Sequence, residues 1–298
     1  MTITVRKLHP LIGAAVTGID LRQPMDQATF QAVHQAWMDH LVLVFPGQDI
    51  SDEEHVAFTR YFGEPEIFHQ SIIKSRRMRE IFRVSNVDDD NNLMPPSHPT
   101  VQQVSLAQLW HTDSSYRFIP AYCSLLYGIE VLPPEAEGGQ TEFANLFLAH
   151  DALAPEMRRR LEPLFMVHYY EFGRRIFPQL PPVSQVERDF VPPTCHPLIR
   201  VHPDRDGRRS LFFTVNAGNE VSGMELEEGQ RLLRELAAHV ERPEFCYRHQ
   251  WRAGDLLIWD NRCLLHRAIE YDASRHRRVM RRTTVAGSGP VLGPFSRP

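Results

Sequence analysis

The chain has 298 residues, 42% of them hydrophobic, with 33 Lys+Arg against 37 Asp+Glu for a formal net charge of -4. That balance offers no global basic field to nucleic acid or anionic lipid. The longest wholly apolar run, Leu41 to Phe45, falls far short of the roughly 20 residues a helical bilayer span requires.

In chain order, a short strand near Ala14 to Ile19 precedes an amphipathic helix over Met25 to Asp39, with Asp26 as its N-cap and Phe30, Val33 and Trp37 at helical spacing. Leu41 to Phe45 is a buried strand stopped by Pro46-Gly47. Ser51-Asp-Glu-Glu54 is a capping box ahead of Val56, Phe58, Tyr61 and Phe62, with Gly63 as the stop. From Lys74 to Gln108 the composition turns polar (KSRRMR, VDDDNN, PPSHP), which suits a long surface excursion of the kind that serves as a lid. Past Trp110 strands dominate: Tyr122 to Val131, Leu164 to Tyr170, Leu198 to His202, Ser210 to Val215, Phe245 to Trp251, Leu256 to Trp259 and Arg278 to Ala286. Helices at Leu146 to Leu161 and Glu225 to Val240, and a Pro-rich loop over residues 174–197, interrupt them. Many short strands punctuated by Gly and Pro predict a mainly β fold with flanking helices, a jelly roll or barrel. Basic residues at the N-terminus lead into no apolar stretch or cleavage site, so no secretory signal is expected and the expected location is cytoplasmic. The four cysteines, Cys123, Cys195, Cys246 and Cys263, lie far apart without a CxxC and read as free, mostly buried thiols.

The 15 histidines raise the question of metal ligands. In Leu109-Trp-His-Thr-Asp-Ser-Ser-Tyr116, His111 and Asp113 would share one face if the segment is a strand. Alone, an HxD is commonplace. A second segment, from Trp251 to His266, changes its meaning: it reads as a strand, a tight turn at Asp260-Asn261 and a returning strand that carries His266. Two imidazoles and one carboxylate on neighbouring strands make a facial triad suited to non-haem Fe(II), with positions open for a bidentate oxo-acid and dioxygen. A third segment, His276 to Thr284, is basic. On a strand, Arg278 and Arg282 share one face and Arg277 and Arg281 the other; the inward pair could fork the far carboxylate of 2-oxoglutarate and hold an anionic substrate.

Taken together these segments resemble the Fe(II)/2-oxoglutarate-dependent dioxygenases of the taurine and aryloxyacetate (2,4-dichlorophenoxyacetate) dioxygenase family. The resemblance runs nearly end to end, from HPLIGAAVTGIDLRQP and FPGQDIS through LWHTDSSY and PPEAEGGQTEF to WRAGDLLIWDNRCLLHR and RRVMRRTTVAG. It implies a double-stranded β-helix (jelly roll, cupin-like) core in a single domain over residues 1–298, iron ligands His111, Asp113 and His266, and cofactors Fe(II), 2-oxoglutarate and O2. The family's GG-x-T motif is Gly138-Gly139-Gln140-Thr141 here, which assigns Thr141 to the 2-oxoglutarate carboxylate. Its RxxxRxT tail fits two registers; the apolar Val279-Met280 and the Thr-Val-Ala-Gly end match the one that gives Arg278 to 2-oxoglutarate and Arg282 to substrate. Taurine-acting members carry a polar Asn where this chain has Ala107, so the likeness points to the aryloxyacetate branch. The implied partner is a small anionic organic substrate, with no nucleic acid and no membrane, and a homo-oligomer is compatible with it. The expected reaction is hydroxylation of an aryloxyalkanoate-type ether, which collapses to a phenol and an oxo-acid, with succinate and CO2 as coproducts. The same chemistry on a sulfonate, alkyl sulfate or other small carboxylic acid is the alternative. A zinc hydrolase and a non-catalytic ligand-binding barrel are the distant ones.

Other residues weigh less. His69, just before the polar excursion, is a candidate for the substrate mouth, and His98 a lesser one within it. Cys263 falls on the strand face opposite His266 and reads as a buried thiol; Trp110, Trp251 and Trp259 read as core. His202 and His249 suit surface or satisfied-core roles, and Arg158 to Arg160 and Arg174-Arg175 solvated faces.

Overall fold

The computed structural model describes residues 3–67, 75 and 77–296. The first strands are β1 (Thr4–Lys7), β2 (Ala14–Thr17), β3 (Val42–Phe45), β4 (Phe82–Ser85) and β5 (Cys123–Glu130). Then come β6 (Thr141–Asn145), β7 (Phe165–His168), β8 (Thr194–Pro197), β9 (Ile199–Val201), β10 (Arg209–Leu211) and β11 (Glu220–Val221). The last are β12 (Cys246–His249), β13 (Leu256–Asp260), β14 (Leu264–Ala268) and β15 (Val279–Val285). A seven-stranded sheet runs β1-β2-β3-β13-β5-β15-β4, antiparallel except for β2 beside β3, and a second sheet runs β12-β6-β14. The remaining strands form the small sheets β11-β7-β8 and β10-β9.

Period-two alternation sorts the side chains into layers. Leu43, Phe45, Leu125, Leu256 and Ile258 face outward from the large sheet, against Val33, Ala36 and Trp37 of the helix Gln27–His40 and Phe58 of the helix Asp52–Thr59. Their neighbours Val42, Val44, Leu126, Leu257, Trp259 and Met280 face inward, against Phe143 of β6 and Leu264 of β14. Beyond the second sheet, Ala144 and Leu265 pack on Leu232, Leu236 and Val240 of the helix Leu226–Val240. The order is helix, sheet, sheet, helix. Residues two positions from an inward one also point between the sheets: Thr141 by Phe143, His266 by Leu264, Ser124 by Leu126, and Arg282 by Met280.

Both early helices have the expected starts. Asp26 accepts from the N–H of Thr29, and Ser51 and Glu54 form a reciprocal capping box. Three expectations need correction. The helix foreseen over Leu146 to Leu161 is two, Leu146–Asp151 and Pro155–Leu161, because Pro155 drives Ala154 to extended backbone (ψ 145°) and begins the second. The polar stretch to Gln108 is no unbroken surface excursion: it carries edge strand β4, paired to β15, and the helix Pro99–Ser105. Its run of Asp and Asn is a turn, in which Asp88 Oδ1 accepts from the N–H groups of Asp90 (3.0 Å) and Asn92 (2.8 Å). The Pro-rich stretch over 174–197 likewise contains the helix Gln185–Phe190, started by a Ser184/Glu187 capping box, and β8.

Candidate active site

His111 joins β14 by an isolated antiparallel bridge, its N–H donating to the carbonyl of His266 (3.0 Å) and the N–H of His266 donating back (2.8 Å). That pairing brings the two imidazoles together with ring centroids 4.1 Å apart. The strand expected through Asp113 ends at this bridge. The chain turns instead, with Ser114 at φ 53°, and the turn rather than alternation delivers Asp113. The donor atoms of His111, Asp113 and His266 lie within 4.8 Å of one another, all buried. Nε2 of His111 is 3.9 Å from Asp113 Oδ1, and Nε2 of His266 is 3.7 Å from Asp113 Oδ2, too long for hydrogen bonds and close enough to share a cation.

Protonation favours ligation. His111 Nδ1 lies 2.8 Å from the carbonyl of Leu109, an acceptor only, so the ring proton sits there and Nε2 keeps its lone pair. Burial lowers the pKa of both imidazoles, that of His266 well below its ordinary value. Burial alone would raise Asp113, but Arg282, the two histidines and a hydrogen bond from Ser124 together hold it below the ordinary carboxylate value. The donor set fits a first-row divalent metal.

The four arginines of the basic segment separate by face. Arg277 Nε donates to Glu130 (2.7 Å) and Arg281 Nη1 to Asp52 (2.5 Å), both away from the triad. Arg282 Nη1 donates to Asp113 Oδ1 (2.5 Å), with its guanidinium 4.3 Å from the centroid of the Phe82 ring. Arg278 is buried, its backbone N–H held by Asn86 Oδ1 (2.8 Å), and its guanidinium pairs with no side chain among the described residues. Burial pushes its pKa down, with Tyr271 opposing. A largely buried guanidinium that faces the cavity with no carboxylate partner among the described residues suits an anionic ligand. Thr141 Oγ1 accepts from Trp251 Nε1 (3.0 Å); since indole only donates, the threonine proton stays available to a ligand. His111, Asp113, Thr141, His266, Arg278 and Arg282 all line one cavity of about 130 Å³, open at its mouth.

Against this geometry, residues 4–284 match the family model described as taurine catabolism dioxygenase TauD, TfdA family. The chain belongs to the TauD/TfdA dioxygenase family. It is 37% identical over 288 residues to an alpha-ketoglutarate-dependent 2,4-dichlorophenoxyacetate dioxygenase of Cupriavidus pinatubonensis, covering 96% of this chain and 98% of that one. To an alkylsulfatase of Acinetobacter baylyi it is 33% identical, covering 96% and 85%. Among solved structures, AAD-2 in complex with Mn(II) and N-oxalylglycine superposes with a TM-score of 0.87 at 36% identity, covering 98% of this chain and 99% of that one. The enzyme is therefore an Fe(II)/2-oxoglutarate-dependent dioxygenase, and the zinc hydrolase and non-catalytic barrel fall away.

Other positions have different employment. His98 caps the helix Pro99–Ser105 by accepting from the N–H of Thr100 (3.2 Å), and His249 pairs with Asp255 (3.1 Å). Trp110 is core and Trp251 supports Thr141, but Trp259 also walls the cavity, 4.7 Å from the ring of His266. His69 lies outside the described residues. Sequence reasoning missed Ser124 and Asn261, which bond to Asp113, and the aromatic wall of Phe82, Tyr116 and Tyr170. Tyr116 and Asn261 lie inside the HxD and distal-histidine segments, where no site role was read for them, and no motif marks Ser124, Phe82 or Tyr170; long-range strand register and loop packing bring them in.

Proposed function

We propose that this dioxygenase hydroxylates a small aryloxyalkanoate-type acid at the carbon bearing the ether oxygen, so that the product collapses to a phenol and an oxo-acid, with succinate and CO2 as coproducts. His111, Asp113 and His266 hold Fe(II), which when bound couples O2 reduction to oxidative decarboxylation of 2-oxoglutarate. Thr141 and Arg278 bind the far carboxylate of 2-oxoglutarate by hydrogen bond and guanidinium fork. Arg282 takes the carboxylate of the substrate and orients its C–H bond toward the metal. One observation carries this reading: a buried Arg278, paired with no side chain among the described residues, faces the same cavity as the triad.

The double-stranded β-helix is our reading of the two facing sheets, and residues 1–298 our single dioxygenase domain. Residues 74–108 act as the lid, a role supported by Phe82, Val84, Gln103 and Leu106 lining the cavity. The aromatic wall favours an aryl substrate over a sulfonate, and the named 2,4-dichlorophenoxyacetate dioxygenase agrees with it. The likeness to an alkylsulfatase keeps alkyl sulfates as a second reading. The test is Fe(II)- and 2-oxoglutarate-dependent succinate release across aryloxyacetates, sulfonates, alkyl sulfates and aliphatic acids. Phenol and succinate should appear in equal amounts from aryloxyacetates. Succinate release coupled to alkyl sulfates or sulfonates alone would overturn the aryl assignment.

A further inference from the structure

Asp113 is held by a chain of hydrogen bonds whose direction is fixed from one end. Trp259 Nε1 lies 2.9 Å from Asn261 Oδ1, and an indole N–H can only donate, so the amide presents its oxygen there and its NH2 to the other side. On that side Asn261 Nδ2 donates to Ser124 Oγ (3.0 Å). With a lone pair occupied, the serine must aim its single proton elsewhere, and Asp113 Oδ2 lies 2.7 Å away. The only other acceptor in reach of that hydroxyl among the described residues, Thr284 Oγ1, is farther (3.3 Å) and uncharged. Trp259, Asn261, Ser124 and Asp113 are all buried, which strengthens these bonds. The turn holding Asn261 is pinned as well: Thr112 Oγ1 donates to its carbonyl (2.8 Å), and its Oδ1 also accepts from the N–H of Asp113 (3.4 Å).

We propose that Ser124 and Asn261, oriented by Trp259, are positioning residues that fix the Asp113 carboxylate and thereby set the affinity of the site for its metal. The chain fixes Asp113 from the Oδ2 side while Arg282 holds Oδ1, so the carboxylate cannot swing without breaking a charge-assisted bond. The idea rests on His111, Asp113 and His266 being the metal ligands. It assigns the serine hydroxyl a direction, and direction is testable. Asn261→Asp places an acceptor where the amide donated, which draws the serine proton away from Asp113. Asn261→Ala removes the contact but leaves Ser124 free to donate to Asp113.

The experiment is titration of metal-free protein with Mn(II), reading the free-ion signal by electron paramagnetic resonance, beside the Tm of each metal-free variant. Ser124→Ala should weaken Mn(II) binding by roughly 10- to 100-fold. Asn261→Asp should weaken it comparably, and Asn261→Ala less. A purely structural role would lower the metal-free Tm and leave the Mn(II) affinity of folded protein unchanged; that result in Ser124→Ala overturns the proposal. Should Ser124→Ala not fold, the order of the two Asn261 variants decides, and equal or reversed losses overturn it. His111→Ala run alongside keeps the two layers apart: unchanged Mn(II) binding there sinks the ligand assignment, whereas its loss beside an unaffected Ser124→Ala sinks only the positioning chain.

Discussion

Two buried clusters in this protein have nearly the same composition and opposite fates. Besides the triad, the donor atoms of His202, Asp260 and Cys263 also lie within 4.8 Å of one another. There Arg262 occupies the carboxylate: its Nε (2.8 Å) and backbone N–H (2.9 Å) donate to Asp260 Oδ1, and its Nη2 (2.8 Å) to Oδ2. His202 Nε2 sits at 3.1 Å from the same Oδ2. Burial would raise Asp260, but Arg262 and His202 overwhelm it and hold the carboxyl far below its ordinary range. Burial, helped by Asp260, pushes the Cys263 thiol well up, away from the thiolate a metal would need. Proximity of ligand-type residues is thus not a metal site. Asp113 too is hydrogen-bonded at both oxygens, by Arg282 and Ser124, but at the triad both Nε2 atoms face the cavity with no hydrogen bond among the described residues, whereas His202 Nε2 is taken up by Asp260 and Asp260 by Arg262.

Breaking each cluster should have different consequences. The largest effect is on the triad: His111→Ala should abolish substrate-coupled succinate release while the metal-free protein keeps its circular dichroism spectrum. Next, Arg278→Ala should lose roughly 1.5–3 kcal/mol of carboxylate binding, read as a rise of about tenfold to a hundredfold in the KM for 2-oxoglutarate. Arg277→Ala should leave that KM alone, because its partners are Glu130 and Asn91. If the two arginine effects exchange, the inward register is wrong.

In the closed cluster the damage should be to stability. Arg262→Met leaves Asp260 charged, buried and short of its partner, which should cost about 3–5 kcal/mol by urea unfolding with no change in metal affinity of the folded protein. A pH dependence distributed over other buried histidines should accompany it. Burial, with Arg281 adding to it, lowers His55 from 6.5 to about 3, and burial lowers His196 to about 4. The unfolded chain therefore takes up these protons first, so stability is full above about pH 6.5 and should decline as pH falls toward about 4. A metal-free Tm that stays flat between pH 7 and 5 would contradict this.

The legible part of the site was the part governed by local pattern. Alternation pairs Arg278 with Arg282 and Arg277 with Arg281 but leaves open which pair is inward; the match of Val279-Met280 and the Thr-Val-Ala-Gly end to the family's tail chose Arg278 and Arg282, which are the two that line the cavity. The illegible part depends on register across the sheet. Ser124 meets Trp259 and Thr284 only because β5 pairs with β13 on one side and β15 on the other. Strand β4 escaped notice because it is a short edge strand with a charged Arg83, which ion-pairs with Asp89. Asp113 lies beside the two histidines, but a turn with Ser114 at positive φ, in place of the foreseen strand, brings it there.

The most direct measurement is a crystal structure of the enzyme soaked in Mn(II), with anomalous scattering used to locate the ion. The expected result is one strong peak bonded to Nε2 of His111, Nε2 of His266 and a carboxylate oxygen of Asp113, and no peak beside Asp260. A peak at His202, Asp260 and Cys263, or none at the triad at full Mn(II) loading, would contradict the distinction between an open and a spent cluster.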